Sequence, residues 1–262
     1  MPPDGGLSQL FAADGEIVLS RLFWMCMRIF TLGLARTSPL LTLTSLYRPP
    51  SSATVPGLIH AECLTPMLLG SPIFSPQRIQ PRKLVLFAAW ESEDAIDEFL
   101  NTSTLGQSIG AGWHLRMTFL RRWGSVREFA SLPESNGESD PQSPVAAFTL
   151  ARMRLREIPR FVQWGRPVER LVRDSPEASF TLAAIRHPRT IATFSIWNSQ
   201  QAMIDMLQGR SAVAQPDRHR AAMRERERRD FHHEFTTLRF RPIAEFGTWE
   251  GRSQLLPKEA KG

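Results

Sequence analysis

Arg82-Lys83-Leu84-Val85-Leu86-Phe87-Ala88-Ala89-Trp90-Glu91-Ser92-Glu93-Asp94-Ala95 has an echo 107 residues later. The second stretch is Arg189-Thr190-Ile191-Ala192-Thr193-Phe194-Ser195-Ile196-Trp197-Asn198-Ser199-Gln200-Gln201-Ala202. Arg82/Arg189, Phe87/Phe194, Trp90/Trp197, Ser92/Ser199, Ala95/Ala202 and Leu100/Leu207 are identical pairs. A repeat at this distance points to two similar domains in one chain. In each copy an apolar run ending in Trp predicts a buried strand. The Ser two residues on predicts an N-cap, because its hydroxyl accepts an orphan backbone N–H of the following helix. Glu93 and Asp94 suit that helix's positive end.

Working outward, Leu58–Thr65 and Trp113–Arg121 read as the other strands of the first unit, with Ser38–Thr54 as loop and Pro66–Pro81 as an irregular excursion. Pro133–Pro144 has no large apolar residue and reads as a solvated linker. In the second unit Val145–Met153, Ser179–Ile185, Thr190–Trp197 and Phe235–Phe240 read as strands. Ile158, Phe161, Val162, Gly165, Val168, Leu171 and Val172 follow helical spacing. Ala202, Met203, Met206 and Leu207 repeat the helical stripe of Ala95, Ile96, Phe99 and Leu100. Pro216 opens a charged helix running to about Asp230. The order β-α-β-β-α-β is ferredoxin-like. The predicted class is α+β: two tandem ferredoxin-like units packed as a pseudo-dimeric α/β barrel, with a pocket at or beside their interface. The expected bounds are 13–131 for the first unit, 132–143 for the linker, 144–252 for the second unit and 253–262 for a disordered tail.

The chain of 262 residues is 42% hydrophobic and 22% charged, values of a soluble globular protein. Its net charge of +6 comes almost wholly from arginine. Basic character is compatible with nucleic acid or anionic lipid, or with a bias of composition toward arginine. The single tyrosine, Tyr47, argues against a tyrosine stacking platform, so no nucleic-acid partner is expected. Cys26 and Cys63 form no thiolate pair and suit a reducing, cytoplasmic setting. No secretory signal is read at the N-terminus. The apolar run Ile17–Ala35, interrupted by Arg21 and Arg28, reads as an amphipathic helix. It is a core helix, a membrane-surface helix or, least favoured, a spanning helix, which leaves peripheral membrane contact open.

The ordered series Phe194-Ser195-Ile196-Trp197-x-Ser199-x-x-Ala202, His219-Arg220, Glu234-Phe235, Leu238-Arg239-Phe240-Arg241 and Gly247-Thr248-Trp249-Glu250-Gly251-Arg252 resembles spheroidene monooxygenase and its bacterial relatives. In the first half Gly33-Leu34-Ala35-Arg36, Pro56-Gly57-Leu58 and Ala88-Ala89-Trp90-Glu91-Ser92 fit the same template. The resemblance covers about residues 22–256. It implies a dimeric α/β-barrel fold and an oxygen-dependent enzyme that adds a keto oxygen to acyclic carotenoids, with haem as cofactor. The chain departs from the family at Leu69-Gly70-Ser71-Pro72 and at Phe231.

Haem takes an axial imidazole in an apolar pocket. Of six histidines, His219 alone matches a family histidine and lies on a predicted helix. Ala222 and Met223 share its face, so His219 and Met223 are the candidate cofactor contacts and His219 the candidate iron ligand. The alternative is a surface histidine in a solvated charge run. An arginine of that run could pair with a propionate. His232 and His233 point to opposite faces. His114, the counterpart of His232, reads as structural, His60 as facing a pocket, and His187 as exposed. No zinc, phosphate-loop or nucleophile-elbow pattern is present. Trp90 and Trp197 read as core packing or as a polyene wall.

Two classes of function follow. One is a haem-dependent monooxygenase with a small apolar substrate and a separate electron donor. The other is a non-catalytic apolar-ligand-binding or dimerisation module of the same fold. Cofactor-free oxygenation is a third. A homo-oligomer stays open. Where the repeats differ, around His219, chemistry is expected.

Overall fold

The computed structural model describes residues 28–68, 80–137, 139–210 and 217–257. The first part contains β1 (Ile29–Arg36), α1 (Pro39–Tyr47), β2 (Leu58–Met67), β3 (Lys83–Trp90), α2 (Glu93–Thr102), α3 (Thr104–Gly110) and β4 (Trp113–Ser125). The second contains β5 (Val145–Met153), α4 (Ile158–Arg173), β6 (Ala178–Arg186), β7 (Thr190–Trp197), α5 (Gln200–Leu207), α6 (Arg218–Arg228) and β8 (His232–Gly247).

The eight strands close into one antiparallel barrel in the order β1-β3-β2-β6-β7-β5-β8-β4. Each half contributes four strands in the ferredoxin-like order, β2-β3-β1-β4 and β6-β7-β5-β8. The seams between halves are unequal. β4 and β8 pair from Trp113↔Gly247 to Ser125↔Phe235, whereas β2 and β6 pair only at Thr65↔Ile185, Pro66↔Ala184 and Met67↔Ala183. The fold expected from the repeat is thus the observed one.

Alternate residues of every strand fill the barrel. Phe30, Phe87, Phe148 and Phe240 meet at its centre with Leu32, Leu115, Met117, Phe194 and Leu238. Phe87 and Phe148, from opposite halves, stack at 3.8 Å between ring centroids. The interior is therefore packed side chains, the usual state of an eight-stranded barrel.

Both repeated strand-to-helix units form as read. Ser92 Oγ accepts from Ala95 N at 3.2 Å, and Ser199 Oγ from Ala202 N at 3.1 Å. Trp90 and Trp197 are core residues, each 1% exposed, with their indole N–H groups on Thr31 Oγ1 and Ser195 Oγ. Burial also pushes the Cys63 thiol up to about 12, as expected of an inert core thiol.

Four expectations change. The run Ile17–Ala35 is not one helix: Ile29–Arg36 is strand β1, with Phe30, Leu32 and Leu34 inward, a period of two that the longer apolar run concealed. Ser38–Thr54 is not all loop, because Ser38 caps helix α1 and Pro39 occupies its first turn. This helix buries Thr42 and Ser45 and leaves Leu40, Leu43 and Tyr47 exposed. The start of the tail is also ordered. Glu245 accepts the backbone N–H groups of Leu255 and Leu256, and Leu255 is buried. In the expected linker, Glu134 and Asn136 hydrogen-bond the backbone of β4. Residues 17–27, Cys26, the Leu69–Pro72 departure, Pro216 and residues 258–262 lie outside the described residues.

Candidate functional site

The outward face of each four-stranded sheet is the one its helices cover, and the two halves differ sharply there. In the first half the cross-sheet rows are Ala61–Ala88–Thr31–Arg116 and Cys63–Leu86–Gly33–His114. Every one of these residues is buried. Ile96, Phe99, Leu105 and Ile109 of α2 and α3 seal them. The fit is close: a methyl group added at Gly33 would lie 2.6 Å from Ile109.

The matching rows of the second half are Thr181–Ser195–Ala147–Arg239–Arg121 and Ala183–Thr193–Thr149–Thr237–Trp123. Small and polar residues replace the apolar ones. Thr193, in the middle of an interior strand, is exposed, and Thr149, Thr181, Ser195, Thr237 and Arg239 are half-buried. An interior strand exposes a helix-facing residue only where the helix layer stands away from the sheet.

Two apolar clusters hold that layer apart. At one end Ile158, Phe161 and Trp164 of α4 pack on Ala151, Ile191 and Phe235 with Phe231. At the other Leu171 and Val172 of α4, with Met203 and Met206 of α5, pack on Val145 and Trp197. Between these anchors α4 presents Val162, Gly165 and Val168, all half-buried. The exposure of Thr193 between these anchors marks an interval with a hydroxyl-bearing floor and apolar ends.

Helix α6 lies against α4, tied by Arg160–Glu225 and Arg229–Glu157 ion pairs. Ala222 is its buried residue, and His219, one turn earlier, shares that face. The His219 ring is half-buried and its Nδ1 lies 3.2 Å from the Leu207 carbonyl oxygen. An imidazole beside a carbonyl holds its proton on that nitrogen, leaving Nε2 with a free lone pair. Burial depresses its pKa, against the pull of that hydrogen bond, so the ring is neutral near pH 7. Met223 is half-buried beside it.

The other histidines sort differently. His232 is buried and His233 exposed, with His232 Nδ1 2.8 Å from Asp230. His114 is buried, stacked on Phe246 at 4.8 Å, and neither ring nitrogen has a hydrogen-bond partner among the described residues. Burial, and then Arg116, pushes it down to about 4. His187 is exposed in its turn. His60 faces not a pocket but a charged cluster at one barrel mouth. There Glu62, 1% exposed, meets His60 Nε2 at 3.3 Å and Arg152 at 2.9 Å. Arg186 lies 2.7 Å from its other oxygen, an ion pair without hydrogen-bond alignment. Arg152 also binds Glu128 and Glu234. This network joins the halves where the β2–β6 ladder is short.

At the opposite mouth, the hairpin around Trp249 separates two surface depressions of about 780 and 360 Å³. The larger is wide open, and Glu250, a carboxylate at its rim, is tied to Lys83. Thr181, at the β6 edge of the floor, lines the smaller one; His219, Thr149, Thr193, Ser195 and Thr237 line neither.

Among the described residues no three His, Cys, Asp or Glu side chains converge on a metal position. A prosthetic group that brings its own equatorial ligands and needs one protein imidazole fits the residues present: His219 is neutral, oriented and on a buried helix face. Sequence reasoning named His219 and did not name the floor. The signal was available in the repeat itself, where Leu86 and Ala88 become Thr193 and Ser195.

Fold and site define a fused α/β-barrel protein with one sealed and one open helix–sheet interface. No family model matches the chain, and no curated protein matches it. Several solved structures are similar to it. An aldoxime dehydratase is 9% identical, covering 89% of this chain and 88% of that one, with a TM-score of 0.49. An anthrone oxidase-like protein is 14% identical, covering 83% and 92%, with a TM-score of 0.30. A monooxygenase-like protein from Listeria innocua is 13% identical, covering 85% and 98%, with a TM-score of 0.28. Among the described residues no helix is long and apolar enough to cross a membrane.

Proposed function

We propose that this chain is a haem-dependent monooxygenase acting on an apolar, carotenoid-like substrate in the cleft of its second half. Two observations carry the reading: the open floor of Thr149, Thr193, Ser195 and Thr237, and His219 on α6, the helix tied to the α4 that spans this floor. The carotenoid-like substrate rests on the sequence resemblance.

In this reading His219 Nε2 would hold the haem iron, its ring fixed by the Leu207 carbonyl through Nδ1. Met223 and Ala222 would border the group. Haem, when bound, supplies the activation of dioxygen. The protein's own share is binding and water exclusion. The half-buried Val162, Val168 and Ile191 contact the hydrocarbon, while the hydroxyls of Thr149, Thr193 and Ser195 position polar atoms. Reducing equivalents come from a separate donor, since the chain carries no dinucleotide-binding loop.

The test is titration of the purified protein with haemin, followed by the Soret band. The expected result is stoichiometric binding with a shifted band, and affinity reduced at least about tenfold in His219→Ala. A wild-type protein that leaves the haemin spectrum unchanged overturns the reading.

A second reading, a non-catalytic binder of apolar ligands, is favoured by one observation. The floor rows hold hydroxyls and arginines but no carboxylate or imidazole to act as general acid or base. Apolar-ligand binding without oxygen consumption would decide for it.

A further inference from the structure

We infer that Arg121 and Arg239 form a carboxylate-binding subsite at the β4–β8 edge of the open floor. The two guanidinium groups come from directly paired residues of neighbouring strands. Both lie over one ring, with Arg121 4.7 Å and Arg239 4.1 Å from the centroid of Trp123. Among the described residues neither has a carboxylate partner. A β-bulge at Leu120 creates the arrangement, because the extra residue lets Leu120 pack outward while Arg121 is still presented on the same face.

The first half shows what a neutralised version looks like. Arg116 holds the place of Arg239, one row position along the fourth strand of its unit. It is buried and binds Glu93 at 2.8 Å and Asp97, both on α2. The repeat offset of 107 carries Glu93 to Gln200 and Asp97 to Ile204, both on α5. Both acidic positions are therefore uncharged in the second half. The arginine persists, its counter-charges are gone, and a second arginine stands beside it. Burial and then Arg121 lower Arg239 to about 10. A half-buried Arg239 with the exposed Arg121 beside it, neither with a described carboxylate partner, presents forked donors suited to a bidentate carboxylate.

The acid that enters is either a ligand's own terminal carboxylate or the propionate of a prosthetic group. Only the propionate case rests on the haem reading. The experiment uses the full chain and four probes: haemin, haemin dimethyl ester, dodecanoate and methyl dodecanoate. Wild type, Arg239→Gln and the double variant Gln200→Glu/Ile204→Asp are compared. The double variant restores internal counter-charges and leaves both arginines in place, so it serves even if Arg239→Gln fails to fold.

The expected result is that at least one acid binds wild type and weakens about tenfold or more in both variants, while its ester changes little. Loss for haemin places a propionate there. Loss for dodecanoate alone places a substrate acid there, and the inference then stands although haemin has not bound. Failure of both acids to bind wild type overturns it. So does an equal loss for acid and ester, or an affinity for both acids that neither variant changes.

Discussion

Arg116 and Arg239 occupy equivalent positions in the two halves, yet only Arg116 is enclosed by carboxylates. Arg116 is 6% exposed and binds Glu93 and Asp97 across the helix–sheet interface. A buried guanidinium that loses its partners keeps its desolvation cost without compensation. Glu93→Gln combined with Asp97→Asn should therefore destabilise the fold. Both carboxylates are about half-exposed, which puts the loss at about 2–3 kcal/mol. Urea unfolding at pH 7 checks this, and an unchanged midpoint would show that water replaces the pair.

His114 makes the sealed half acid-sensitive. Its ordinary value of 6.5 falls to about 4 in the folded chain, through burial first and the adjacent Arg116 second, with Asp97 opposing. Phe246 covers its ring. Between those two values the unfolded chain holds a proton that the folded chain does not. The contribution of His114 is complete above about pH 6.5 and is lost as pH falls toward 4, by up to roughly 3 kcal/mol. His114→Phe should flatten the stability profile over that window. Parallel profiles for the two proteins would contradict the assignment.

Glu62 ties the short seam. Burial raises its pKa, but His60, Arg186 and Arg152 outweigh that and leave it below the usual carboxylate range. Its stabilising share is therefore present above about pH 4.5 and lost as pH falls through the depressed value. Glu62→Gln leaves Arg186 without a described ion-pair partner and should cost about 3 kcal/mol at pH 7. Hydrogen exchange should quicken at the Thr65–Met67 ladder before it does elsewhere. Uniform exchange in the variant would show that the network does not hold the seam.

The packed lumen separates stability from binding. Phe148 stacks on Phe87 across the halves, and Phe148→Ala should cost about 3–5 kcal/mol through cavity formation. Ligand affinity in the outer cleft should change little at temperatures where the variant stays folded. Affinity that tracks the lumen substitution would place the ligand inside the barrel.

The repeat in the sequence was enough to read the fold, because Trp-x-Ser-x-x-Ala encodes a buried strand end and a capped helix start in both halves. Strand β1 was hidden: Phe30, Leu32 and Leu34 keep a period of two, but the apolar residues that precede them extend a helical reading across it. Helix α1 was hidden because its buried side is Thr42 and Ser45, opposite to the usual pattern. His219 could be singled out from its place in the resemblance. The floor beside it could not be seen strand by strand, since Thr193 and Ser195 are ordinary strand residues. They acquire meaning only against Leu86 and Ala88, and Arg239 only against the acidic partners of Arg116.

The claim that the second helix–sheet interface is the binding site is tested most directly by filling it. Thr193→Trp places a large ring on the exposed centre of the floor without touching the lumen, His219 or the arginines. Haemin and dodecanoate affinities, measured by absorption titration and calorimetry on protein with native circular dichroism, give the answer. The account predicts that whichever probe binds wild type is weakened at least about tenfold by the filled floor. Binding as tight as wild type in a folded Thr193→Trp protein would contradict it.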